Sequence, residues 1–221
     1  MKTFKERPLP WQHKKAVEAL EKWDLLAYRA IEKALELPPI DSEHEALSHR
    51  FHYHLKEAGL SRKEHNFLYV TTEDKPSAVP HLPYAIYLDN LRSGFNVGSI
   101  IRTVEALRLG MVCFSKSTPF IDNKKVQDAA MGTIPYVECK QIADLKDLPR
   151  PFIAIETVES ATPIKEFTFP KSGTILLGNE EYGLSQDVLA QADYIVSIPL
   201  VGMKNSLNVA NAFAMVAAHL R

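Results

Sequence analysis

The sequence predicts an α/β fold: a parallel sheet preceded by a small helical N-terminal region. Three observations carry this. From Tyr84 onward, short β-rich runs alternate with helix-like segments, the pattern of βαβ units. The runs are apolar rather than strictly alternating, as in strands buried on both faces. Earlier in the chain the apolar residues fall at helical spacing instead. The change of character divides a helical N-terminal extension, residues 1–80, from a second domain, residues 81–221.

In the N-terminal part, Trp11 to Leu37 carries Ala16, Leu20, Trp23, Ala27, Ala30, Ile31 and Ala34 near helical spacing and reads as one helix. Pro38 and Pro39 stop it. Asp41 and Ser42 can cap a second helix through about Ala58, with Gly59 as its C-terminal stop. A third helical stretch starts at Ser61, and the three prolines between Thr71 and Pro83 mark a linker. Strands are expected at Ala85–Leu88, Met111–Phe114, Tyr136–Cys139, Phe152–Ile155, Thr174–Leu177 and Tyr194–Ile198. Helices are expected at Asn96–Leu109, Lys124–Ala130, Gln141–Leu148, Ser185–Ala192 and Ser206–Leu220.

Composition excludes several classes. Of 221 residues, 46% are hydrophobic and 24% charged, too much apolar content for a disordered chain. The formal net charge of -1 argues against a generally basic nucleic-acid binder and leaves room for a local basic groove. Cys113 and Cys139 are too few for a disulfide scaffold or a cysteine-based zinc site. No apolar run approaches the roughly 20 residues that span a bilayer, and the start of the chain has no signal-peptide pattern. A soluble cytoplasmic protein without membrane partners is expected.

Three clusters carry chemistry. In the first, Asn90 to Gly110, Asn96 stands where a helix should begin and can cap it. Gly98, Arg102 and Glu105 then share one helix face, while Val97, Ile100, Ile101, Val104 and Leu107 turn to the sheet. Alone, this also describes a capped helix with a surface Arg–Glu pair. In the second, Ile175 to Ser185, a strand runs into Gly178, then Glu180 and Glu181, then Gly183. Gly178 would let a ligand approach the backbone at the strand end; a solvated acidic loop is the plainer alternative. The third, Val196 to Met215, puts Ser206 and Asn208 at the start of an Ala-rich helix, a helix terminus with unpaired N–H donors. The glycines form neither a P-loop nor a G-x-G-x-x-G turn.

Together the clusters resemble the SpoU (TrmH-like) family of RNA 2′-O-ribose methyltransferases, in the SPOUT superfamily. Asn96, Gly98, Ile100, Arg102, Thr103 and Gly110 fit its N-x-G-x-I-x-R-T-x-x-x-x-x-x-G block. Gly178, Glu180, Gly183 and Leu184 fit G-x-E-x-x-G-L, and Ile198, Pro199 and Ser206 to Val209 fit I-P followed by S-L-N-V. Ala130 to Thr133 is a weaker fourth match. The resemblance covers about residues 84–221. Phe95, Glu181 and Ala210 depart from frequent family choices.

The resemblance implies a C-terminal trefoil knot, against the usual unknotted topology. It also implies S-adenosylmethionine as cofactor and structured RNA, tRNA or rRNA, as substrate. A homodimer through the knot region, with the site completed across the interface, is implied as well. Gly178, Asn179, Gly183, Ile198, Leu200 and Leu207 are the implied cofactor-binding residues. Arg102, Asn96, Glu180, Ser206 and Asn208 are the implied catalytic set. Arginine almost never loses its proton, which favours phosphate and oxyanion stabilisation for Arg102 and leaves the base unassigned. A non-catalytic RNA-binding relative is the competing reading, and retention of Arg102, Glu180 and Ser206 argues against it. His49 and His52 are spaced to share a metal, yet no cysteine or carboxylate cluster completes a site, so no metal is expected. The helical residues 1–80 are a possible RNA-binding region, with Trp11, Trp23, Phe51 and Tyr53 read as packing residues.

Overall fold

In the computed structural model, which describes residues 3–60, 75 and 77–221, the chain separates into two units, Met1–Pro76 and Ser77–Arg221. In the first, the stretch read as one helix is two: α1 (Leu9–Glu21) and α2 (Leu25–Ala34). Trp23 takes a left-handed φ of 54°, and the Asp24 carboxylate accepts a hydrogen bond from the Ala27 N–H at 3.0 Å. The periodic apolar residues do continue through the break. The aspartate competes for the backbone there and starts a new helix. A third helix, α3 (His44–Glu57), begins after Glu43, without the expected cap from Asp41 and Ser42. Gly59, at φ 65°, follows its end as expected. The helix expected from Ser61 lies outside the described residues, as does most of the Thr71–Pro76 stretch.

The three helices bury Ala16, Val17, Leu20, Tyr28, Leu47 and Phe51 against one another. Within this apolar core runs a polar chain. His13 and His54 meet Nδ1 to Nδ1 at 2.9 Å, His54 Nε2 lies 3.3 Å from the Tyr28 hydroxyl, and that hydroxyl donates to Glu32 at 3.4 Å. Arg29 pairs with Glu32 at 2.8 Å and Arg50 approaches it at 3.6 Å. Trp11 and Trp23, read as packing residues, are 37% and 41% exposed.

The second unit is a seven-stranded, all-parallel sheet: β1 (Tyr84–Leu88), β2 (Gly110–Phe114), β3 (Glu138–Gln141), β4 (Phe152–Ile155), β5 (Thr162–Pro163), β6 (Gly173–Leu177) and β7 (Tyr194–Ser197), in the order β3-β2-β1-β6-β4-β7-β5. Between them lie α4 (Gly94–Ala106), α5 (Lys124–Ala130) and the single turn α6 (Gln186–Leu189), and α7 (Val209–Leu220) ends the chain. Every residue of β1 and β6 is buried. Ile86, Leu88, Ile175 and Leu177 face α4 and α7, while Ala85, Tyr87 and Leu176 pack with Leu184 and Val188 on the other side. This two-sided burial is why these runs are apolar without alternation. β1 pairs with β6 from Tyr84↔Gly173 to Leu88↔Leu177, which brings their carboxyl ends level.

Several expected boundaries are corrected. Ser93, not Asn96, caps α4, its side chain accepting from the Asn96 N–H at 3.3 Å. β3 starts two residues late, because Pro135 sits in a 3-10 turn at Ile134–Tyr136. The helix expected at Gln141–Leu148 is the end of β3 and a 3-10 turn at Leu145–Asp147, where Asp144 accepts from the Lys146 N–H at 3.0 Å. Asn208, not Ser206, caps α7, accepting from the Ala210 and Asn211 N–H groups. At the three helix and turn starts an Asx or Ser side chain claims the free N–H groups. Among the described residues no helix is long and apolar enough to cross a membrane.

Candidate active site

At the carboxyl ends of β4, β6 and β7 the sheet opens into a cavity of about 580 Å³. That is where an open parallel sheet places its ligands. The segment after β6 forms one wall. Asn179 and Gly183 exchange two backbone hydrogen bonds of 2.9 Å, closing a tight loop. Gly178 makes this loop possible in a way that differs from the expectation. A Cβ there would overlap the backbone of Gly183 and Leu184, so the glycine is required by the loop folding back on the strand end, rather than by an approaching ligand. Gly183 has φ 76°, and a Cβ on it would strike the Glu156 carboxylate. Asn179 is buried; its amide donates to the Asn90 carbonyl at 2.5 Å and accepts from the Glu181 N–H at 2.8 Å.

Glu180 connects this loop to α4. One carboxylate oxygen accepts from Asn96 Nδ2 at 2.8 Å and the Ser93 N–H at 3.0 Å; the other accepts from the Arg92 N–H at 2.9 Å. Burial alone would raise its pKa, but the hydrogen bonds from Arg92, Asn96 and Ser93 outweigh it and hold the carboxyl below its ordinary value. Glu180 is thus a fixed anion at the amino end of a helix. Asn96, released from capping by Ser93, also accepts from Asn208 Nδ2 at 3.0 Å. A chain Glu180–Asn96–Asn208 therefore joins all three sequence clusters and ends on the cap of α7.

Nine of the expected site residues line the cavity: Gly178, Asn179, Glu180, Gly183, Ile198, Leu200, Ser206, Leu207 and Asn208. Asn96 stands one hydrogen bond behind the wall. Arg102 does not reach the cavity. The α4 face it shares with Gly98 packs on α5, where a Cβ on Gly98 would overlap Val126 and Ala129, and the exposed Arg102 guanidinium lies 2.8 Å from the Met131 sulfur at the end of α5. The first cluster thus meets the weak fourth match, and the Arg102–Glu105 pair of the plainer alternative reading is not among the ion pairs of the described residues. Glu156 and Thr157, at the end of β4, line the cavity and escaped the sequence reading; the rule that ligands sit at strand ends would have pointed to them. Glu181 lies on the wall and pairs with Arg92. Among the described residues no group of three or more His, Cys, Asp or Glu side chains is arranged for a metal ion.

The model of the SpoU rRNA Methylase family matches residues 83–218. The chain is similar to the tRNA (guanosine(18)-2'-O)-methyltransferase of Escherichia coli (strain K12), 29% identical over 138 residues that make up 59% of each chain. It is also similar to the 23S rRNA (guanosine(2553)-2'-O)-methyltransferase RlmP of Bacillus subtilis (strain 168), 28% identical over 174 residues, 72% of this chain and 70% of that one. Its fold is like that of the SpoU methyltransferase AviRb from Streptomyces viridochromogenes, solved in complex with the cofactor AdoMet, with a TM-score of 0.58, 24% identity, and coverage of 64% of this chain and 58% of that one.

Proposed function

The chain belongs to the SpoU rRNA methylase family, and on that premise we propose that it transfers a methyl group from S-adenosylmethionine to a ribose 2′-hydroxyl of a structured RNA. The observation that carries the reading is the cavity at the strand ends, walled by the second and third sequence clusters and tied to the first through Glu180, Asn96 and Asn208. Ile198, Leu200, Leu207, Val209 and Ala212 give it an apolar side suited to a flat base, and Glu156, Glu180 and Glu181 an acidic side suited to a cation. Its volume is within the range of small-molecule sites. S-adenosylmethionine fits that donor set and supplies a methyl group already activated by a sulfonium charge.

The residues divide the remaining work. Glu180, held ionised by its donors, is a positioning residue for Asn96 rather than a proton acceptor. Asn208 fixes the amino end of α7, so Ser206 and Leu207 are held at the mouth of the cavity, where both are exposed. Arg102 supplies the phosphate and oxyanion contacts, for which its planar fork is suited. It reaches a cavity only from a second copy of the chain. The exposed face of α7, with Ala214, Met215 and Ala218, offers a surface for that pairing. The family resemblance adds a trefoil knot formed by the C-terminal part, a cytoplasmic location, and an RNA-contacting role for the N-terminal unit. The two relatives named above act on a tRNA and an rRNA respectively, so the substrate is proposed at the level of structured RNA. Incubation with labelled S-adenosylmethionine and total RNA, followed by mapping of the modified nucleotide, tests the reading. Label on a base, or no label in any RNA, would overturn it.

A further inference from the structure

The three carboxylates that line the cavity are in different electrostatic situations. Glu180 spends its charge on three N–H donors and anchors α4. Glu181 is paired with Arg92, and both are about two-thirds exposed, at 67% and 68%. Glu156 makes no ion pair among the described residues. It is half-buried, accepting only backbone N–H groups: Leu184 at 2.6 Å on one oxygen and Thr157 at 3.2 Å on the other. No lysine, arginine or histidine lines the cavity. The amino end of α7, which could offset a negative charge, is taken up by the Asn208 carboxamide. The Glu156 charge is therefore held in place by neutral dipoles and balanced by nothing in the cavity wall.

We propose that Glu156 is a specificity-determining residue that makes the cavity sense the charge of its ligand, favouring the sulfonium cofactor over its demethylated thioether product. The inference rests on the cofactor reading of the cavity given above. S-adenosylmethionine and S-adenosylhomocysteine share the adenosine and the amino-acid tail; they differ by one methyl group and one positive charge. A carboxylate that bonded the shared ribose hydroxyls would treat both alike. An unbalanced, half-buried carboxylate on the cavity wall separates them by Coulomb attraction. For a separation of several ångströms in a partly screened site this amounts to roughly tenfold in relative affinity. Its value to the reaction is release: once the methyl group has left, the attraction that held the cofactor is gone.

Calorimetric titration of the full chain with both ligands tests this. Glu156→Gln keeps an oxygen to accept the Leu184 N–H and removes the charge, together with the longer 3.2 Å bond from the Thr157 N–H. The expected result is an affinity ratio moved about tenfold toward S-adenosylhomocysteine, mainly through weaker binding of S-adenosylmethionine. Glu156→Asp keeps the charge and shortens the reach; it should retain most of the ratio even where both affinities fall. That contrast holds if Glu156→Gln disturbs the loop. An analogue bearing a protonated amine in place of the sulfonium should follow S-adenosylmethionine in both variants. Equal losses for charged and neutral ligands in Glu156→Gln, or an unmoved ratio, would overturn the inference while leaving the cofactor site standing. Absence of binding of either ligand to the unmodified chain would overturn the cofactor reading and this inference with it.

Discussion

Acidification to pH 5.5 should selectively loosen the N-terminal helical unit, and the His13–His54 contact sets the size of the effect. The two imidazoles share a 2.9 Å Nδ1–Nδ1 contact, so one proton can serve both nitrogens and a second would place two cations side by side. His54 is wholly buried, among Tyr28 and Glu32 of α2, His13 of α1, and Arg50 of its own helix. Burial first, then the charges of His13 and Arg50, push its pKa from 6.5 down to about 3. His13 is lowered too, by burial, with Glu57 partly opposing. A folded pKa below the unfolded one means that the unfolded state takes up the proton first. Stability is therefore full above about pH 6.5 and falls as the pH drops toward 3. For His54 alone the loss between pH 7 and 5.5 is about 1.3 kcal/mol. That window lies above the ordinary carboxylate range. Both tryptophans of the sequence, Trp11 and Trp23, lie in this unit, so their fluorescence reports on it alone. Urea unfolding followed by that signal should shift its midpoint down by about 1 M, taking a slope of about 1 kcal/mol/M for so small a unit. His54→Asn keeps a polar side chain for His13 and removes the main titrating group; its midpoint should move less than half as far. An unchanged wild-type midpoint, or an equal shift in the variant, would refute the reasoning.

Four further outcomes are expected. Arg102→Ala and Arg102→Lys should each lower single-turnover methyl transfer about 100-fold or more, with cofactor affinity unchanged, since the contact forms as charge develops; a near-normal rate in the lysine variant would remove Arg102 from the site. In mixtures of Arg102→Ala with Asn208→Ala chains, about a quarter of wild-type activity should return, because half the dimers are mixed and each of those has one intact composite site; no recovery would place Arg102 and the cavity in one chain. Gly178→Ala should lower cofactor affinity and thermal stability together, by about 1–3 kcal/mol of overpacking against Gly183 and Leu184; calorimetry showing a loss of affinity at unchanged stability would restore the ligand-approach reading. Asn208→Ala should cost about 1 kcal/mol of stability as a lost helix cap, and unchanged chemical denaturation would count against that role.

What was legible in the sequence follows the range of the forces involved. The parallel sheet could be read because burial on both faces leaves continuous apolar runs in β1 and β6. The glycine and acid positions could be read because a loop folded back on a strand end tolerates nothing else at Gly178. Helix starts could not be read to the residue. Ser93 and Asn96, or Ser206 and Asn208, are equally good caps in isolation; at α4, Asn96 is instead engaged by Glu180, 84 residues further along the chain, and by Asn208. The break at Asp24 was hidden because apolar spacing continues across it, while the Asp24 cap on the Ala27 N–H starts a new helix. Glu156 was missed because nothing about one acid after an apolar run is unusual until Leu184 is seen bonding to it.

The position of Arg102 shows how the same cluster can serve fold and chemistry at once. Gly98 lies one turn before it, on a face so close to α5 that no side chain fits. That contact fixes the rotation of α4 about its axis. With the rotation fixed, Asn96 necessarily points at Glu180 and Asn208, while Arg102, a turn and a half further on, points away from the cavity of its own chain. In the proposed reading its guanidinium works in the cavity of another copy. Its contact with Met131 is compatible with that reading. A thioether is a weak acceptor and leaves the cation's other donors to phosphate.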